Sequence, residues 1–220
     1  MLNTNIEKLV LLQWFFRNND RAFRDALKVQ KFLFFYEIFS KIQDKTYSLE
    51  WLTVYENGPV FTPTIGDYRY RYDDLVAKLS GADLADHNFV LDLTTARKAN
   101  FLVSIMNKAD LSELTHQFDI WKKKSGLLAQ GMQQIRADEN DFSEADWKLA
   151  ELLFNAYSID LIESSNILYL DPLKFVIKKD DERRLTDSHR ETLDEIAMNP
   201  DGLENPVFIS LAEDGVLEID

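Results

Sequence analysis

Residues 28–39 read KVQKFLFFYEIF, from Lys28 to Phe39. Five of these side chains are aromatic, and the only charges are Lys28, Lys31 and Glu37. Val29, Phe32, Leu33, Tyr36 and Phe39 recur at three- and four-residue steps, which is helical spacing. Leu27, Phe34, Phe35, Ile38 and Ile42 fill most of the remaining faces. A helix that is apolar nearly all round is buried by neighbours on several sides. The stretch therefore predicts the central helix of a helical domain, running from about Phe23 to Ile42. It is too short to span a bilayer.

Working outward from it, Asn3 or Thr4 caps a first helix that runs to about Arg17, and a polar break follows at Asn18-Asn19-Asp20. On the other side, Leu49–Tyr55 is rich in aromatic and β-branched residues and predicts a short strand. Glu56-Asn57-Gly58-Pro59-Val60 is turn chemistry, because Asn-Gly tolerates positive φ and Pro59 disfavours helix at Gly58. Asp67 is expected to cap a helix through about Leu79, with a polar loop around His87 beyond Gly81. Further helices are expected from Asp92 or Thr94 to Lys108, and from Ser112. Ser143 with Asp146 reads as a capping box ahead of a helix over Trp147–Ile162. Phe175-Val176-Ile177 predicts a short strand. Val207–Leu211 and Val216–Ile219 read as a hairpin, or as extended strands awaiting a partner. The expected class is mainly α with a small β element, α+β. Residues 1–169 form the helical domain, and 170–220 form an acidic C-terminal extension with short strands.

The chain has 220 residues, 45% of them hydrophobic and 12% aromatic, which is a globular composition long enough for a sizeable core. There is no run of about eighteen apolar residues, so no membrane span is expected. The N-terminus lacks the basic start and cleavage site of a signal peptide. With no cysteine there are no disulfides, thiolate nucleophiles or Cys-based zinc sites. The expected compartment is the cytoplasm. Net charge is −13, and residues 187–220 carry ten acids against Arg190 alone. That segment repels phosphate backbones, so no direct nucleic-acid ligand is expected. The charge serves solubility on the bland reading and a basic protein partner on the sharper one.

Catalytic patterns are missing. His87, His116 and His189 lie in separate segments, none in a metal-binding spacing, and there is no GxSxG, P-loop or GxGxxG. No catalytic residue, cofactor or metal is expected. Three stretches remain. Lys28 and Lys31 flank Gln30 at the start of the apolar helix and read as a solvated end, stems packed and charges in water. Glu56–Val60 reads as a turn. In LTHQFDIW, His116 reads as a helix-end hydrogen bonder and Trp121 as core.

Taken together and in this order, the three stretches resemble a known family. Lys28-Val29-Gln30-Lys31-Phe32-Leu33-Phe34-Phe35 is similar to a KLQKLLYF-type helix. Tyr55–Val60 is similar to an aromatic-x-x-Gly-Pro-Val turn, and Leu111–His116 with Trp121 to an LS-x-LTH…W segment. The family is the SocA-like, or Panacea antitoxin, domain, often phage-associated, and the resemblance covers about residues 20–160. Val29 stands where the family has Leu, and Phe32 and Phe34 replace smaller or hydroxylated residues. The acidic segment beyond about Leu170 has no counterpart.

The resemblance implies a largely helical domain with no catalysis that neutralises a toxin by direct binding, the toxin being encoded by an adjacent gene. It implies a contact surface at Lys28, Gln30, Lys31, Glu56, Asn57, Gly58, Pro59 and Val60, with His116 and Trp121 beside it. The alternative is a proteolytic adaptor or phage-encoded regulator of a host protein, with a protease as second partner. A concealed carboxylate enzyme site is the third reading.

Overall fold

The computed structural model describes residues 1–82, 84, 89–200 and 202–219; the loop expected around His87 lies outside the described residues. The chain is mainly helical with two small sheets, an α+β architecture. It divides into two compact units, Met1–Val103 with Lys108–Ala156, and Ser104–Asn107 with Tyr157–Asp220.

The first unit begins with α1 (Ile6–Asn18), α2 (Asp20–Phe23) and α3 (Ala26–Ile42). Helix α3 starts at Ala26, later than the periodicity predicts, because Asp25 is extended and accepts from the Leu27 and Lys28 amides. The preceding α2 is a separate turn capped by Asn19. From Val29 to Ser40 every residue of α3 is buried. Phe32 stacks on Phe15 at 4.2 Å, Phe34 meets Phe118 edge-on, and Phe39 meets Phe154 edge-on. Each such ring contributes roughly 1.5–3 kcal/mol by leaving water.

Strands β1 (Leu52–Tyr55) and β2 (Gly58–Phe61) form an antiparallel hairpin. Two helices follow, α4 (Thr62–Tyr70) and α5 (Tyr72–Ser80), where the sequence predicts one. The expected role of Asp67 as a cap of that helix is also overturned. It lies buried inside α4 and accepts from the Asn3 and Thr4 amides and the Thr4 hydroxyl at 2.7–2.8 Å, so it serves the start of the chain instead.

Helices α6 (Leu93–Ile105), α7 (Lys108–His116) and α8 (Asp119–Ala129) come next, then β3 (Ile135–Arg136). The sheet order is β2-β1-β3, so β2 is an edge. A 3₁₀ turn (Glu139–Asp141) leads to α9 (Glu144–Asn155), which starts from the Ser143–Asp146 capping box that the sequence predicts. The expected helix to Ile162 ends at Asn155; Ser158 opens a separate one, α10 (Ile159–Ser164), in the second unit.

The second unit also holds β4 (Ser165–Leu170), β5 (Leu173–Lys178), α11 (Lys179–Glu182), α12 (Asp187–Met198), β6 (Val207–Leu211) and β7 (Leu217–Ile219). Its sheet order is β4-β5-β6-β7, with β5 and β6 parallel and the other pairs antiparallel. Leu173, Phe175, Ile177, Val207 and Ile209 pack with Leu193 and Ala197 of α12. Strands β6 and β7 do form a hairpin, and β6 is paired on both sides. Among the described residues no helix is long and apolar enough to cross a membrane.

Candidate functional site

The three sequence stretches are far apart in the chain and meet at one place. The meeting point is the tip of the β1–β2 hairpin. Glu56 and Asn57 make the turn and are exposed, and Gly58 follows with φ +98°. Positive φ is one reason a glycine stands here. The other is room: a Cβ on Gly58 would lie 2.1 Å from Lys31 Nζ and 2.4 Å from Thr115 Oγ1. One glycine is thus pressed between α3 and α7.

The turn differs from its sequence reading. Gly58 and Pro59 are buried and open β2, leaving Glu56 and Asn57 as the exposed tip. Proline is tolerated because β2 is an edge strand, where a missing N–H breaks no inner ladder. Val60 is half-buried. The neighbouring edge amide, Phe61 N–H, donates to Gln30 Oε1 at 2.8 Å. The edge is closed by a proline and a side-chain amide, which protects it from pairing with another strand.

Lys31 reverses the solvated reading given to the start of α3. The residue is 1% exposed, and its Nζ donates to the Asn57 carbonyl at 2.6 Å. Burial pushes its pKa down to about 7. A buried amine whose only described partner is a neutral carbonyl has little to hold its charge. Lys28 is half-buried and faces elsewhere, donating to the Val103 carbonyl at 2.7 Å.

Helices α7 and α8 supply the third wall. Asp146 is buried and accepts from the Asp119 and Ile120 amides at 2.5 and 2.9 Å, anchoring the start of α8. That anchoring places Trp121, whose Nε1 donates to the Tyr55 carbonyl at 2.9 Å. The His116 ring stacks on Trp121 at 3.8 Å between centroids. Burial lowers the His116 pKa, as does the nearby Lys31 charge, while the Glu56 backbone and Glu113 pull it up. His116 Nε2 is buried with no hydrogen-bond partner. Trp121 is half-buried and bonded to the hairpin, which is more than the core role expected of it.

Two cavities flank the tip and share Tyr55 and Glu56. One, of about 280 Å³, is lined by Gln30, Lys31, Asn57, Val60, Ile65 and Arg69 among others. The other is an open groove of about 630 Å³ bordered by Trp121, Leu128 and Met132. The sequence reading missed Thr115, which abuts Gly58, and Arg69, which reaches the first cavity. Thr115 is the middle residue of the LTH stretch. Arg69 belongs to the alternating run Tyr68-Arg69-Tyr70-Arg71-Tyr72, in which nothing distinguishes the arginine facing the hairpin.

Chemically, the arrangement offers donors. Thr115 Oγ1 is engaged with the Leu111 and Ser112 carbonyls, each at 3.0 Å. Among the described residues no group of three or more His, Asp or Glu side chains is placed to hold a metal ion. Comparison with protein-family models, curated proteins and solved structures finds no match.

Proposed function

We propose that this chain is an antitoxin that neutralises a cognate toxin by direct protein–protein binding. The observation that supports the reading is the convergence of the three family-like stretches on one hairpin tip. Lys31 reaches Asn57, Thr115 abuts Gly58 and Trp121 holds Tyr55. The resemblance to the SocA-like family rests on those same stretches. In this reading α3, α7 and α8 act as a frame. Their buried polar side chains fix the hairpin backbone, and the exposed tip, Glu56-Asn57, is presented with the two flanking cavities. A preorganised loop binds with less ordering cost than a mobile one. The toxin is expected from an adjacent gene. The cytoplasm, where the acid excess would speed encounter with a cationic toxin, is the proposed compartment.

The test is co-expression. Growth arrest by the neighbouring gene product should be relieved by this chain, and the two should co-purify. Relief should be lost with a charge-reversed tip, Glu56→Lys with Asn57→Lys. If no neighbouring product is toxic and none co-purifies, the reading fails.

One observation favours the adaptor alternative. Strand β7 is an outer strand of the second unit's sheet, with Ile219 39% exposed, and an open edge can accept a partner strand. Removing everything after Pro206 is a poor test, because Val207 and Ile209 belong to the core. Ile219→Pro removes an edge donor while leaving β6 intact. Unchanged degradation of the toxin in that variant counts against delivery through β7.

A further inference from the structure

Three lysines are buried among the described residues: Lys8, Lys31 and Lys174. Lys8 pairs with Glu37, and Lys174 with Asp171 at 3.2 Å. Lys31 has no carboxylate partner among the described residues; its hydrogen bond goes to a backbone carbonyl. Burying an ammonium without a counter-ion is costly. The chain holds 38 acids against 25 bases, so carboxylates are not scarce.

The cavity beside Lys31 has two further donors. Gln30 is 1% exposed, lines the cavity, and its Nε2 has no hydrogen-bond partner. Arg69 stands at the same cavity, exposed and with no ion pair among the described residues. Leu27, Ala26 and Ile65 complete an apolar wall. Lys31, Gln30 and Arg69 therefore all line one space of about 280 Å³, at the small end of ligand sites.

We propose that this cavity receives a carboxylate carried on a short apolar stem, supplied by the partner protein as a chain terminus or an acidic side chain. Arg69 provides the accessible half of the recognition, Lys31 the buried charge, and Gln30 a donor to the second oxygen. Glu56, exposed on the rim of the same cavity, disfavours a more highly charged group such as phosphate. The inference rests on the antitoxin reading only for the source of the carboxylate.

The experiment titrates the full chain with three peptides in a calorimeter. They are acetyl-Ala-Leu-Leu with a free C-terminus, its C-terminal amide, and acetyl-Ala-Glu-Leu amide. At least one carboxylate peptide should bind, at least about tenfold more tightly than the uncharged amide. Which one binds identifies the source. Inorganic phosphate should not compete. Arg69→Gln, at an exposed position, should weaken the carboxylate peptide about tenfold. Lys31→Met should fold and abolish the preference for acid over amide. Equal binding of acid and amide, binding by none of the peptides, or equal competition by phosphate overturns the proposal. Because the peptides are titrated onto the isolated chain, their failure leaves the growth-relief assay to judge the antitoxin reading separately.

Discussion

Helix α3 carries two buried polar stations less than two helical turns apart, and they are built differently. At Glu37 the carboxylate receives Lys8, its second oxygen accepts the Ser48 amide at 2.6 Å, and Lys8 also donates to the Ser48 carbonyl at 3.0 Å. Lys8 lies 4.4 Å from the centre of the Phe61 ring. Every group there has an internal partner. Burial raises the Glu37 pKa even so, with Lys8 opposing. At Lys31 there is a cation, a carbonyl, a Gln30 Nε2 without a hydrogen-bond partner and a cavity, and among the described residues no acid is paired with the amine. A closed polar cluster holds the fold together and has nothing left to offer. An open one costs stability, a cost that the proposed carboxylate would offset.

The largest expected effect breaks the closed station. Glu37→Leu strands Lys8 and should destabilise by about 3–5 kcal/mol in urea unfolding, and adding Lys8→Met should restore most of it. A single-variant loss below about 1 kcal/mol would put the two stations on a par.

Next is the glycine that the open station presses upon. Gly58→Ala meets two side-chain atoms and a positive φ, and should cost about 2–3 kcal/mol by the same assay. An unchanged midpoint would mean that the hairpin does not lie against Lys31.

The third prediction has the opposite sign to the first. Lys31→Met should be neutral or stabilising by up to about 2 kcal/mol at pH 7. Lys31 has a folded pKa of about 7 against an ordinary 10.5, so between these values the unfolded chain binds more protons. The wild-type penalty is fully present below pH 7 and fades as pH rises towards 10.5. Stability of the wild type relative to Lys31→Met should therefore climb across that window. Facing Lys31 are Glu56 of the hairpin, Arg69 of α4 and His116 of α7; the last, lowered by burial, titrates below the window. A flat difference from pH 7 to 10 would refute the uncompensated amine.

The smallest effect concerns the third wall. Trp121→Phe keeps a ring against His116 and loses the bond to the Tyr55 carbonyl, a cost of about 1 kcal/mol.

What the sequence disclosed follows from the range of each signal. The α3 rod, the Ser143–Asp146 box and the β6–β7 hairpin are written in residues a few positions apart, so spacing alone reads them. Asp67 could not be read that way, since its partners Asn3 and Thr4 lie 64 and 63 residues away in the chain. Strand β4 was not anticipated; its apolar run Ile167–Leu170 precedes the Asp171-Pro172 break that joins it to β5. The three stretches of the candidate site were visible as words, but their meeting was not. A lysine at the start of an apolar helix ordinarily keeps its charge in water, and only the hairpin folded over Lys31 makes it buried. Arg69 and Thr115 are site residues through that same folding.

The most direct measurement is the titration of the Lys31 side-chain amine by NMR in the isolated full chain, its resonance assigned by loss in Lys31→Met. A midpoint near 7 is the result expected of a buried amine without a counter-ion. A midpoint near 10.5 would show a solvated or internally paired ammonium and contradict the account of the site.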